Sequence, residues 1–219
     1  ASALNMLDSG QSRALADPWL LNPAQVRPRP VPLDDDPVAP HRDADFKAWV
    51  GPFFMGPVNT RVVRRSAALL GYGPDFHYQE YLRFGSGALA AATAVGVSAG
   101  MNASQAALRL APVRALARRM APAPGQGPSE ASMDRGSFRC ELVGHGAGGT
   151  VARAKVAAAG DPGNRATTVM VCEAAMALTR AADLPGGQKA GGVLTPASGL
   201  GTALAERLCA AGMTLAVQA

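Results

Sequence analysis

The densest run of proton-transfer groups in this 219-residue chain is YGPDFHYQEY, which carries Tyr72, Asp75, His77, Tyr78 and Glu80. A phenol or an imidazole held against a carbanion or enolate can protonate it, which is the step that completes a reduction begun by hydride addition. Tyr72, His77 and Tyr78 are the candidates for that work. The same run also reads as a strand with ordinary aromatic packing. Phe76, Tyr78, Glu80 and Leu82 alternate with His77, Gln79, Tyr81 and Arg83, a period of two that gives one aromatic-rich face. Both readings stand on the residues alone.

A second group is cationic. In NTRVVRRSAALLG, Arg61, Arg64 and Arg65 stand at i, i+3 and i+4, so a helix puts all three on one face. With Asn59 as the expected N-cap beside them, that face can hold a phosphate or carboxylate. The competing reading is a solvated face laced with salt bridges.

The third group, GGVLTPASGLGTALAERLCAAGM, looks like a dinucleotide loop and fails as one. A G-x-G-x-x-G turn needs a third glycine for close helix–strand packing, and Leu204 stands there. Thr195 and Pro196 start a helix before Gly199, where a strand should end. The acidic residue required about 20 positions later would fall beyond Ala219. Glycines that let a terminal helix pack closely are the better account, so no cofactor-binding residue is assigned to this chain.

Metal and disulfide chemistry find no support. Cys140, Cys172 and Cys209, and equally His41, His77 and His145, are too scattered for a zinc site or a disulfide framework, which fits a reducing, cytoplasmic setting. Asp34, Asp35 and Asp36 read as a solvated turn. The formal charge of +5 comes mostly from arginine, with no lysine tract and no interleaved aromatics, so nucleic acid is not an expected partner. An anionic cofactor or thioester remains compatible with it.

The elements that must position these groups are expected as follows. Leu4, Leu7 and Ala14 suggest a helix within residues 1–15, and residues 22–40, with six prolines, form an extended loop. FKAWVGPFFMG is strand-like, and the arginine helix runs from Asn59 to a Gly71 cap. Residues 84–108 carry no charge but are dominated by small residues, so a buried or interface-lying helix pair fits better than a membrane span. After a Pro/Gly loop over 121–136, FRCELVG and TVARAKVAA form a hairpin across HGAGG. A helix from Thr167 to about Ala182 follows. The last helix is capped by Thr195, striped by Leu200, Leu204 and Leu208 and ended by Gly212, and MTLAV forms the final strand. The fold class is α/β of the α+β kind, a mixed sheet with hairpins and packed helices.

Taken in order, ASALNML, GPFFMGPVNTRVVRRSAALLGYGPDFHYQEYL, PGQGPSEASMDRGSFRCELVG, DPGNRATTVMVCEAAMAL and the terminal glycine stretch cover most of the chain. In these blocks the chain resembles the saccharopine dehydrogenase-like oxidoreductases, in the branch of bacterial trans-acting enoyl reductases. Members usually carry an aromatic residue after DPG, where this chain has Asn164. The resemblance implies a two-domain oxidoreductase whose N-terminal Rossmann domain binds NADP or NAD and precedes Ala1. ASALNML, which lacks an initiator methionine and starts in mid-helix, would then be a junction.

On that reading residues 1–40 are a junction helix and proline-rich linker, and 41–190 a substrate-binding domain. Residues 191–219 are a helix–strand unit packing toward the cofactor domain. The chain is then the substrate and dimerisation part of an enzyme reducing an acyl or enoyl lipid-type substrate. A homodimer is expected, with residues 84–108 lining an apolar pocket or resting on a membrane. Two alternatives carry different tests: a non-catalytic lipid-surface or interaction module, and an amino-acid-type dehydrogenase that makes secondary amines.

Overall fold

The computed structural model describes residues 16–28, 31–120, 127–187 and 191–218, and the helix expected within residues 1–15 lies outside them. The chain divides into two compact units, Ala1–Ala123 and Pro124–Ala219. The division falls inside the stretch 41–190. Each unit contains a three-stranded sheet in which every pairing is antiparallel. The α+β character is as expected, but two small sheets replace the expected mixed one.

The first unit orders β1 (His41–Asp43), β2 (Ala48–Pro52) and β3 (Tyr81–Gly85) side by side. Helix α1 (Gly56–Leu70) connects β2 to β3, and α2 (Ala88–Ala107) and α3 (Ala111–Met120) follow. Helix α1 starts before Asn59, because Pro57 in its first turn has the φ a helix needs and lacks the N–H that would be orphaned there. Met55, not Asn59, is the N-cap. At the other end Gly71 adopts a left-handed φ of 71° and its N–H reaches the Ala67 carbonyl, the closure its sequence position suggests.

The strand expected from Phe76 is later and shorter, because residues 76–80 have other partners. The Tyr78 carbonyl accepts from Arg64, and the Glu80 N–H donates to the Gln79 side-chain oxygen. Only from Tyr81 does the backbone enter the ladder.

Helix α2 lies on β2 and corrects the expected buried pair. It is one helix, buried along a single edge at Ala94 and Ser98, while Leu89 and Val95 face solvent. Its small residues allow a close approach to the sheet: a Cβ added at Gly51 would stand 2.8 Å from Ser98 Oγ and 3.2 Å from the Phe84 ring. Gly51→Val should therefore cost about 1–3 kcal/mol by overpacking, read as a lower urea midpoint with an unchanged slope. No helix among the described residues is long and apolar enough to cross a membrane.

The second unit is built on the expected hairpin. Strands β4 (Ser137–His145) and β5 (Val151–Ala159) pair along nine positions, and β6 (Thr214–Gln218) adds to β5. The loop expected over 121–136 contains a short helix, α4 (Glu130–Arg135), because the Ser129 hydroxyl accepts from Ser132 N–H at its start. Helix α5 (Arg165–Leu178) ends before the expected Ala182 and gives way to a tight turn over Ala181–Asp183. Helix α6 (Pro196–Ala210) has the expected Thr195 cap, reinforced by Ser198 Oγ accepting from Thr195 N–H at 3.0 Å. Of the expected stripe Leu200 and Leu208 are buried, and Leu204 is half-buried.

The turn into α5 is held by Asp161, whose carboxylate accepts from Gly163 N–H at 2.9 Å and from the Asn164 amide at 3.1 Å. These bonds, the Gly163 one foremost, hold its pKa below the ordinary carboxylate value. The folded-state value lies below the unfolded one. The stabilisation is therefore complete above the usual carboxylate pKa of about 3.9, and is lost as the pH falls through the folded-state value. Asp161→Asn should flatten this acid limb in a series of urea midpoints against pH.

Candidate functional site

The sequence-predicted residues converge in the first unit, around the inner face of α1. There the segments 17–28 and 31–36 and the extended run 76–80 meet the helix. Arg64 is the centre of this contact. Its side chain is 0% exposed; Nη1 donates to the Pro18 carbonyl at 3.1 Å and Nη2 to the Tyr78 carbonyl at 2.8 Å. The guanidinium lies 5.0 Å over the Trp19 ring, and Nη2 is 3.8 Å from the equally buried Asp34 carboxylate. Burial pulls its pKa below the ordinary arginine value, and the Asp34 charge opposes that pull.

The other two arginines are also turned inward. Arg61 grips Asp36 with both terminal nitrogens, the Nη2–Oδ2 bond being 2.9 Å, and Arg65 donates to the Leu21 carbonyl. The face expected to offer free donors to a phosphate is therefore occupied by the protein's own oxygens. The salt-bridge reading describes Arg61, but the bridge is half-buried rather than solvated. The aspartate run corrects in the same direction: Asp34 is fully buried and Asp36 is paired.

Two hydrogen-bonded groups carry proton-transfer chemistry. In the first, Asp34 Oδ2 accepts from Val31 N–H at 3.1 Å and Oδ1 lies 3.0 Å from His77 Nδ1. A carboxylate can only accept here, so Nδ1 carries a proton and Nε2 is left to exchange one. The His77 side chain is 26% exposed, which keeps the ring within reach of a solute. In the second group, Glu80 takes the Tyr78 hydroxyl at Oε1 and the Asn59 amide at Oε2, each at 2.9 Å. Asn59, expected as a cap, instead fixes this carboxylate.

Tyr72 does not join them. It follows the Gly71 cap, is 62% exposed and packs edge-on against Phe76 at 5.6 Å between ring centres. The structure thus brings together Asn59, Arg61, Arg64, His77 and Tyr78, and adds Asp34 and Glu80. Asp34 carried a weak signal, since it is one of three adjacent aspartates that look alike until the loop is folded onto α1.

Nucleotide binding can be tested at the terminal glycines. A Cβ at Gly199 would meet Leu194 at 3.2 Å, and one at Gly201, where φ is 53°, would meet Pro185 at 2.7 Å. The bare backbone there is filled by the chain's own side chains rather than left open to a pyrophosphate. A dinucleotide does not fit this turn. Among the described residues no His, Cys, Asp or Glu cluster could hold a metal, and Cys140, Cys172 and Cys209 form no disulfide and are exposed.

Two surface recesses lie in the second unit. One, of about 420 Å³, is lined by Arg180, Asp183, Thr202, Glu206 and Arg207, and the other, of about 230 Å³, surrounds Asn164, Thr167 and Cys172. Neither includes a residue of the Asp34–Glu80 network.

Comparison with known proteins gives this network a context. A Mycobacterium tuberculosis protein, named provisionally as a trans-acting enoyl reductase, is 39% identical over 233 residues, covering 98% of this chain. The chain is similar to the trans-acting enoyl reductases. Proteins of that name from Mycobacterium ulcerans and Mycobacterium bovis are 37% and 36% identical over 173 and 177 residues, each covering 76% of the chain. The chain spans about half the length of the relatives it matches, 54% of the first and 40% of the other two. No family model matches it, and no solved structure does.

Proposed function

We propose that this chain is the substrate-side portion of an enoyl reductase, and that His77, oriented by Asp34, delivers the proton of the reduction. The observation that carries this reading is the Asp34–His77 pair in a chain so similar to proteins named for enoyl reduction. Reduction of an α,β-unsaturated thioester adds a hydride to the β-carbon and a proton to the α-carbon. The buried carboxylate orients the ring through Nδ1, so that Nε2 can give a proton to the enolate and regain one from water.

Tyr78, held by Glu80 and Asn59, is a second proton-bearing group on the same extended run and serves as relay or anchor for the thioester oxygen. Arg64 acts one step away, by fixing both the Tyr78 backbone and the Asp34 charge. The substrate class is an acyl or enoyl lipid-type chain. The hydride donor is a nicotinamide cofactor, NADP or NAD, held by polypeptide other than these residues.

The reading is tested with the natural polypeptide that carries this chain. NADPH or NADH oxidation is followed with a long-chain 2-enoyl thioester, and in parallel with lysine plus 2-oxoglutarate. Turnover of the thioester alone supports it. Turnover of the amino-acid pair alone would favour the secondary-amine dehydrogenase, and turnover of neither would favour a non-catalytic module.

A further inference from the structure

We infer that α3 is a contact for anionic lipid surfaces, independent of the reductase reading. The helix is short and strongly two-sided. At about 100° per residue, Val113, Leu116, Ala117 and Met120 share one arc, while Arg114 and Arg119 flank it on either side and Arg118 lies beyond. Val113 and Ala117 are half-buried, whereas Leu116 and Met120 are 57% and 76% exposed and Leu110, just ahead of the helix, is 58% exposed. Large apolar side chains on an arginine-flanked face are the pattern of a helix that lies in a membrane interface.

Charge identifies the occupant. From Tyr81 to Ser129 the chain contains no Asp or Glu, while Arg83, Arg109, Arg114, Arg118 and Arg119 fall within it. A protein groove would accept the apolar arc equally well. A long acid-free segment around an arginine-flanked helix is instead complementary to a sheet of phosphates, and arginine stems can follow apolar surface while their heads stay among the headgroups. The contact therefore moves from the uncharged run 84–108 to α3. Helix α2 rests one edge on the sheet, and α3 supplies both the apolar arc and the charge.

Arg114 has a structural task, donating to the carbonyls of Leu108 and Arg109. The test accordingly uses Arg109→Gln with Arg119→Gln for charge, and Leu116→Gln with Met120→Gln for the apolar arc. The protein is floated with vesicles of phosphatidylcholine plus phosphatidylglycerol, and with phosphatidylcholine alone, at low and high salt. Sedimentation and thermal melting are run alongside.

Wild type should float only with the anionic vesicles and be released by salt. Each arginine removed should weaken partitioning about fivefold, so the double charge variant should lose more than tenfold. The apolar variant should also lose its flotation, with both melting temperatures unchanged. Equal flotation with neutral vesicles, no flotation, salt-insensitive flotation, or variants that float like wild type would overturn the inference. A dimer dissociated by Leu116→Gln with Met120→Gln, without loss of flotation, would make the face an interface between copies instead.

Discussion

Arg64→Met should destabilise the first unit by about 3–5 kcal/mol, the range for removing one partner of a buried ion pair. The loss has three parts. Asp34 would remain as a fully buried charge with its guanidinium gone. The carbonyls of Pro18 and Tyr78 would lose their donors, and Trp19 the cation over its ring. Marginal stability makes a change of this size decisive, since a typical domain has only about 5–15 kcal/mol in total.

Arg64→Lys should recover little, because one ammonium cannot span two carbonyls on different segments and also stack on an indole. Chemical unfolding followed by tryptophan fluorescence, from Trp19 and Trp49, would measure both variants. Equal stability of wild type and Arg64→Met would show that the segments 17–28 and 31–36 are not fastened through this side chain.

The second large effect is catalytic. His77→Gln should lower kcat for enoyl reduction by about 10²–10⁴, the usual contribution of a positioned general acid. KM should change little and melting should hold, because the ring is partly exposed and its deletion empties no core. Asp34→Asn should lose activity in the same direction, since an amide can present a donor to the ring and no longer fixes Nδ1 as the hydrogen-bond donor. It should also weaken the fold through Arg64, which His77→Gln should not. Tyr78→Phe separates the two roles offered for the tyrosine. A fall in kcat marks a relay, and a rise in KM at constant kcat marks an anchor.

Local structure was legible in the sequence where a signal sits on the residues that use it. Thr195-Pro196 announces the start of α6, Leu200 and Leu208 its buried stripe, and Gly71 the end of α1. The FRCELVG and TVARAKVAA hairpin is closed by glycines that the turn needs: Gly148 and Gly149 both adopt positive φ. The site was less legible because its geometry depends on partners far along the chain. Arg64 bonds a carbonyl 46 residues away, and His77 a carboxylate 43 residues away. Spacing on α1 places three arginines on one face but does not say whether water or the proline-rich loop lies against it. The alternation over 76–83 likewise suggested a strand, but the Tyr78 carbonyl and the Glu80 N–H bond side chains instead, and the ladder begins at Tyr81.

The most direct test is a single-turnover reduction of a 2-enoyl thioester in deuterium oxide, comparing the wild-type protein with His77→Gln. The saturated product of the wild type should carry one solvent deuterium at the α-carbon and none at the β-carbon, and His77→Gln should form it at least about a hundredfold more slowly. Absence of saturated product from the wild type, or equal rates in the two proteins, would contradict the assignment of His77 as the proton donor of an enoyl reductase.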